Sequence, residues 1–236
     1  MSGRIEFDQR QSCRVPFEHY LDIYQRANPT EIAARTGLPF DAARSIFSLR
    51  LLGTEYEIAY PDFEMRALPD GAVLRSPYEE ILIIRYLCEG QYAPASGRQL
   101  SYAEIPWGAV YLSNFNGRVL RRFAREFGED SGMLRLVMEE NAGLHAVPVV
   151  KCDAGYRFEF ITGLYMSLLL WEGDAEFPPS AQMLFDDNFK YAFTAEDVAV
   201  AGEIAYGRLN ELKSALNRKV DPDTNQAVNP KQKQEI

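Results

Sequence analysis

The sequence predicts an α+β fold: a mixed, mainly antiparallel sheet with packed helices and a helical N-terminal preface. Two observations carry that expectation. Strand-like alternation and helical periodicity come in separate blocks rather than in strict β-α succession, which argues against a doubly wound sheet. The strand blocks are also divided by short glycine and proline turns, the punctuation of hairpins. With 236 residues, 47% of them hydrophobic, the chain can fill one large core.

The elements follow in order. Phe17, Tyr20, Leu21 and Tyr24 recur at helical spacing and predict a first helix to Ala27. Asn28-Pro29-Thr30-Glu31 then supplies a cap, a proline for the first turn and an acid at N3, and Gly37 stops the second helix. Asp41 to Ser45 adds a turn. From Ser45 to Arg75 the alternation of Ile46, Phe47, Leu49 and Leu51, then Tyr56, Ile58 and Tyr60, then Phe63 and Met65, predicts a strand meander punctuated by Gly53 and Pro69-Asp-Gly71.

Ser76-Pro77 opens a helix whose apolar residues, Ile81 to Cys88, cover most of its circumference and place it centrally. Gly90 to Gly97 is a loop. Ser113 to Phe127 and Asp130 to Glu140 read as helices separated by Gly128. Strands are expected at His145 to Cys152, Tyr156 to Thr162, Leu164 to Trp171 and Ala181 to Phe185, and a last helix runs from Thr194, capped by Asp197, to about Leu216. The expected organisation is a flexible N-terminus (1–16), a single α+β domain (17–216, its first part, 17–42, the helical preface) and a disordered tail (217–236).

The net charge of −9 repels phosphate backbones, so nucleic acid is not an expected partner. No run reaches the roughly 20 apolar residues that span a bilayer, and Met1-Ser-Gly-Arg-Ile-Glu-Phe-Asp8 lacks a signal-peptide core. The expectation is a cytoplasmic protein without a membrane partner. Cys13, Cys88 and Cys152 are too far apart in sequence for a local zinc or iron-sulfur motif and read as reduced thiols, Cys88 as a small buried residue. His19 and His145 complete no nucleophile or metal motif. Gly-x-Gly-x-x-Gly, phosphate-loop, His-Glu-x-x-His and Gly-x-Ser-x-Gly patterns are absent as well. The residues therefore specify no metal, no cofactor and no oligomeric state.

Three stretches carry candidate function. Trp171-Glu-Gly-Asp-Ala-Glu-Phe-Pro-Pro-Ser180 joins two apolar runs by an acidic loop, with Asp186 and Asp187 beyond it. Glu172, Asp174 and Glu176 alternate along it, a pattern that suits a hard cation, a polar ligand or acid/base work, and equally a solvated structural loop. Trp171 and Phe177 are expected to anchor it by burial. Arg118, Arg121, Arg122 and Arg125 stand at i, i+3, i+4 and i+7, opposite Leu120, Phe123, Ala124 and Phe127. Such a stripe asks for acids of the same chain or for a small anionic ligand or partner, since guanidinium groups grip carboxylate and phosphate in a planar way. Tyr102, Trp107 and Tyr111 surround a Pro106-Trp-Gly108 turn, as core or as a stacking wall.

The acidic box from Trp171 to Asp186, with Leu52-Gly-Thr-Glu-Tyr56 before it and Thr194-Ala-Glu-Asp197 after it, resembles the domain-of-unknown-function 3786 family over about 43–212. The resemblance implies a setting in strict anaerobes. It also implies relatives that join this domain to an iron-sulfur module, from which this chain departs in lacking clustered cysteines. The reading is a protein that binds a small molecule, metal or protein partner in anaerobic metabolism. The alternative is an enzyme that uses paired carboxylates for proton transfer or metal-assisted hydrolysis.

Overall fold

A computed structural model describes residues 9–71, 76–150 and 152–220; of the expected flexible N-terminus (1–16) and disordered tail (217–236), 1–8 and 221–236 lie outside them, while 9–16 belong to the first helix and 217–220 to the last. The preface is α1 (Gln9–Arg26) and α2 (Pro29–Thr36), with α1 beginning well upstream of its apolar period. Asn28 caps α2 by accepting the Thr30 amide, and Gly37 ends it at φ 70°, a left-handed value that glycine takes without steric cost. Tyr24, fully buried, locks α1 onto the meander through edge contacts with Tyr60 and Phe63.

The sheet begins with β1 (Phe40–Asp41), β2 (Ile46–Leu51), β3 (Thr54–Ala59) and β4 (Met65–Leu68). After α3 (Pro77–Glu89) come the short edge strand β5 (Gln99–Ser101) and a 3-10 turn at Tyr102–Glu104. One helical rod follows, made of α4 (Gly108–Phe115), a π turn (Asn116–Leu120) and α5 (Arg121–Phe127). Then come α6 (Ser131–Glu140), β6 (Val147–Pro148), β7 (Ala154–Ile161), β8 (Leu164–Trp171) and β9 (Ser180–Asp186). The short α7 (Phe189–Ala192) and the long α8 (Ala195–Val220) end the described chain.

The strands form one sheet in the order β4-β3-β2-β7-β8-β9-β5, with β1 on β2 and β6 on β7, and every recorded pairing is antiparallel. The meander meets the second hairpin at Leu51 opposite Ile161, reinforced by the Leu52 amide on the Phe160 carbonyl at 2.8 Å. On one face Phe158, Met166, Leu168 and Phe185 meet Phe115, Phe123 and Phe127 of the rod and Leu134 of α6 in a continuous core. Truncating any of those phenylalanines to alanine would cost about 3–5 kcal/mol.

Two expectations are corrected. The strand expected over His145 to Cys152 is reduced to β6, because a 3-10 turn at Ala142–Leu144 delivers His145 at φ 49° and Pro148 has no N–H to donate. The helix expected from Ser113 starts earlier, at Gly108, and is interrupted by the π turn, where the Arg121 amide reaches the Asn116 carbonyl.

In the helical layer α8 is the spine. Arg85 near the end of α3 pairs with Asp197 near the start of α8 at 3.0 Å. Arg118 of the π turn pairs with Glu203 at 2.9 Å, and Lys213 with Glu126 of α5 at 3.0 Å. The rod therefore runs parallel to α8, and α3 antiparallel to it. The start of α8 is fixed as the sequence predicts: the Thr194 amide donates to Asp197 Oδ2 at 3.1 Å while the Asp197 amide donates to Thr194 Oγ1 at 3.3 Å.

Candidate functional site

The arginine stripe lands on the outer side of the rod, with Phe123, Ala124 and Phe127 buried beneath it and Val119 added to them. Leu120 is only partly buried. The stripe is not uniform, however. Arg118 and Arg122 are turned toward α8: Arg118 donates to Glu203 Oε2 at 3.0 Å, and the Arg122 guanidinium lies 4.3 Å from the Tyr206 ring centroid. Arg121 and Arg125 are exposed and make no ion pair among the described residues. Arg118 lies within the π turn, a feature that recurs at functional sites.

Arg118 and Arg122 enter a cleft of about 440 Å³ walled by the start of α3, the rod and the middle of α8. Tyr206 and Arg208 come from α8 and Ser76 and Glu79 from the start of α3. Arg208 is held by Thr54 Oγ1 at 3.3 Å and lies 3.6 Å from Glu211. Burial pushes the Glu79 carboxyl above its usual range, and nearby Glu211 adds to the shift, against the lowering effects of Ser76 and Arg208. Three guanidinium groups, of Arg118, Arg122 and Arg208, and three carboxyls, of Glu79, Glu203 and Glu211, line the cleft. Sequence reasoning reached Arg118 and Arg122 but missed Glu79, Tyr206 and Arg208. Glu79 had the signature of an ordinary first-turn acid, and nothing local marks the other two as neighbours of the stripe.

The acidic box lies elsewhere, at the corner between α5 and α6. Glu172 accepts the Ser131 amide at 2.9 Å, and its own amide donates to Asp153 at 2.8 Å. Asp174 accepts the amides of Glu176 and Phe177 at 2.8 and 2.7 Å, and its own amide donates to the Phe177 carbonyl at 2.9 Å. The Ser131 side chain and then its amide hold the Glu172 carboxyl below its usual range, and the Phe177 and Glu176 amides do the same for Asp174. Glu176 is exposed.

Trp171 is partly buried at the end of β8, but Phe177 is 67% exposed, which corrects the expectation that it anchors the loop. The closed turn around Asp174 faces the ring outward. Pro179 packs in its place: a Cβ added to Gly128 would lie 2.3 Å from it. Asp186 is corrected too. At the far end of β9 from the Glu172–Glu176 loop, about 20 Å along the strand from Ser180, it is buried and paired with Arg157, Oδ2 to Nη2 at 2.5 Å. Asp187 binds Ser96 instead, at 2.9 Å to its amide and 2.6 Å to its hydroxyl. Among the described residues no group of three or more His, Cys, Asp and Glu converges in the manner of a metal site. Cys88 is partly buried, its thiol pushed up to about 12 by burial, a value that suits an inert packing residue.

A second cleft, of about 450 Å³, opens at the other end of α3 and α8, where Trp107 and Tyr111 face Tyr191. Of the three aromatics around the Pro106-Trp-Gly108 turn, Tyr102 is core, stacked on Phe115 with centroids 4.1 Å apart, while Trp107 and Tyr111 are exposed.

The DUF3786 family, a domain of unknown function, matches residues 28–208, from the cap of α2 to the middle of α8. The chain belongs to this family. The DUF3786 match takes in the arginine stripe, the acidic box and the lining of both clefts apart from Asn210 and Glu211, and it begins upstream of the position expected from the sequence. No curated protein and no solved structure shows significant similarity to the chain.

Proposed function

We propose that this protein binds a small anionic ligand, a phosphate or carboxylate, in the cleft between the start of α3, the rod and the middle of α8. The proposed setting is the cytoplasm, in the anaerobic metabolism that the family resemblance implies. One observation carries the reading: Arg118 and Arg122, unlike Arg121 and Arg125, line a cleft that also holds Arg208. Arg118 is bridged by an exposed-side ion pair and Arg122 by a ring, and both are contacts that an incoming anion can exchange for charge-assisted hydrogen bonds. Three carboxyls, of Glu79, Glu203 and Glu211, also line the cleft, and burial raises the Glu79 pKa, which favours its neutral form beside an anion.

The acid/base alternative rests on the same carboxyl. A carboxyl with a raised pKa in a cleft beside guanidinium groups has the attributes of a general acid. The two readings separate on Glu79→Gln, which leaves a binding protein competent and would silence an enzyme. The binding reading is tested by thermal denaturation in orthophosphate against chloride at constant ionic strength. The expected result is a rise in melting temperature with phosphate that saturates, because only the folded state holds the site. Equal melting curves in the two salts contradict it.

A further inference from the structure

We infer that the second cleft, bounded by Trp107, Tyr111 and Tyr191, is a binding site for a flat organic cation. Its volume of about 450 Å³ is in the range of small-molecule sites, and its aromatic surface is presented rather than packed. Trp107 sits at φ 69°, ψ −1° and is 80% exposed. A left-handed backbone is an uncommon and costly conformation for a bulky side chain. The turn that imposes it is tight: the Gly108 amide donates to the Ile105 carbonyl at 2.8 Å, and a Cβ at Gly108 would fall 1.9 Å from the Tyr102 carbonyl oxygen. Tyr111, one helical turn on, extends the same wall and is 49% exposed. Tyr191 is half exposed on α7, with the Lys190 ammonium 4.9 Å from its ring centroid.

Charge decides the ligand class. Three carboxylates, Glu89, Glu196 and Asp197, line the cleft against Arg85 and Lys190. Arg85 and Asp197 consume each other at 3.0 Å, and the Arg85 guanidinium is further engaged over Tyr20 at 5.3 Å. That leaves Glu89 and Glu196 against Lys190, so the lining that meets a ligand is acidic and aromatic. Glu89 already accepts the Tyr20 hydroxyl at 3.2 Å, and Glu196 makes no ion pair among the described residues. An indole face is the strongest of the aromatic cation binders. Lys190 occupies the Tyr191 ring and repels a second cation there, which directs the ligand to the Trp107 and Tyr111 wall.

The test is calorimetric titration with three flat rings of nearly equal size: the N-methylpyridinium cation, pyridine at a pH where it is neutral, and benzoate. The expected result is saturable binding of the cation, weaker binding of pyridine, and weakening of cation binding by Trp107→Gly from about twofold to about thirtyfold. Glycine suits the left-handed position, so this variant keeps the fold; Glu196→Gln, on the surface, should weaken the cation while leaving pyridine unchanged. Absence of saturable cation binding, affinity unaltered in Trp107→Gly, or benzoate binding that Trp107→Gly abolishes would each overturn the inference.

Discussion

Glu172 accepts the Ser131 backbone amide at 2.9 Å, so the first carboxylate of the acidic box closes the first turn of α6 from 41 residues away. The box is a clasp that ties the β8-β9 hairpin to the α5-α6 corner. Because the Glu172 carboxyl is held below its usual range, its stabilising effect is present above that range and is lost as the pH falls through the depressed value. Glu172→Ala should lower the melting temperature at neutral pH, and the gap to the parent protein should close in acid. A constant gap at every pH would show that the charge has no part in the clasp.

Since amides occupy Glu172 and Asp174 and Arg157 occupies Asp186, added Mg²⁺, Mn²⁺ and Ca²⁺ should leave the melting temperature unchanged at millimolar concentration. A saturable rise with any one of them, abolished by Asp174→Asn, would restore the box as a cation site.

Asp197 serves two partners at once, as cap of α8 and as counter-ion of Arg85. Its side chain is only 8% exposed and that of Arg85 22%, so Asp197→Ala leaves a poorly hydrated guanidinium unpaired. The expected loss is about 3–5 kcal/mol, read from denaturant unfolding. An effect below about 1 kcal/mol, the size of a cap alone, would mean that Arg85 finds another partner.

Glu79 gives a pH signature of opposite sign to Glu172. Its carboxyl is raised in the fold, so the stability it contributes is complete below its ordinary pKa of 4.5 and is lost as the pH rises through the folded value. Glu79→Gln should therefore stabilise the protein at neutral pH relative to the parent, with the advantage shrinking toward pH 4. Thermal melts across that range measure it, and a destabilised variant at neutral pH would show that ionised Glu79 is an essential partner of Arg208.

Much of the architecture could be read from local chemistry. Asn28-Pro29 and Thr194-Ala-Glu-Asp197 wrote their own helix starts, and Leu164 to Trp171 is a strand over its full predicted length. What could not be read depends on residues distant in sequence. Phe177 looked like an anchor because burial was judged from residue type, whereas the Asp174 turn fixes its direction outward. The arginine periodicity was visible, but the contacts that turn Arg118 and Arg122 toward α8 come from Glu203 and Tyr206, more than 80 residues away. Trp107 was ambiguous for the same reason: only the closeness of Gly108 to the Tyr102 carbonyl sets its ring outside the core.

The central claim is that Arg118 and Arg122, rather than the arginine stripe as a whole, take an anion. Calorimetric titration of pyrophosphate into three proteins tests it: the parent, Arg118→Ala/Arg122→Ala and Arg121→Ala/Arg125→Ala. The account predicts saturable binding to the parent, weakening of about tenfold or more in the first double variant through lost charge-assisted hydrogen bonds, and near-parental affinity in the second. Equal losses in the two variants, as bulk attraction to positive charge would give, or no saturable binding to the parent, would contradict it.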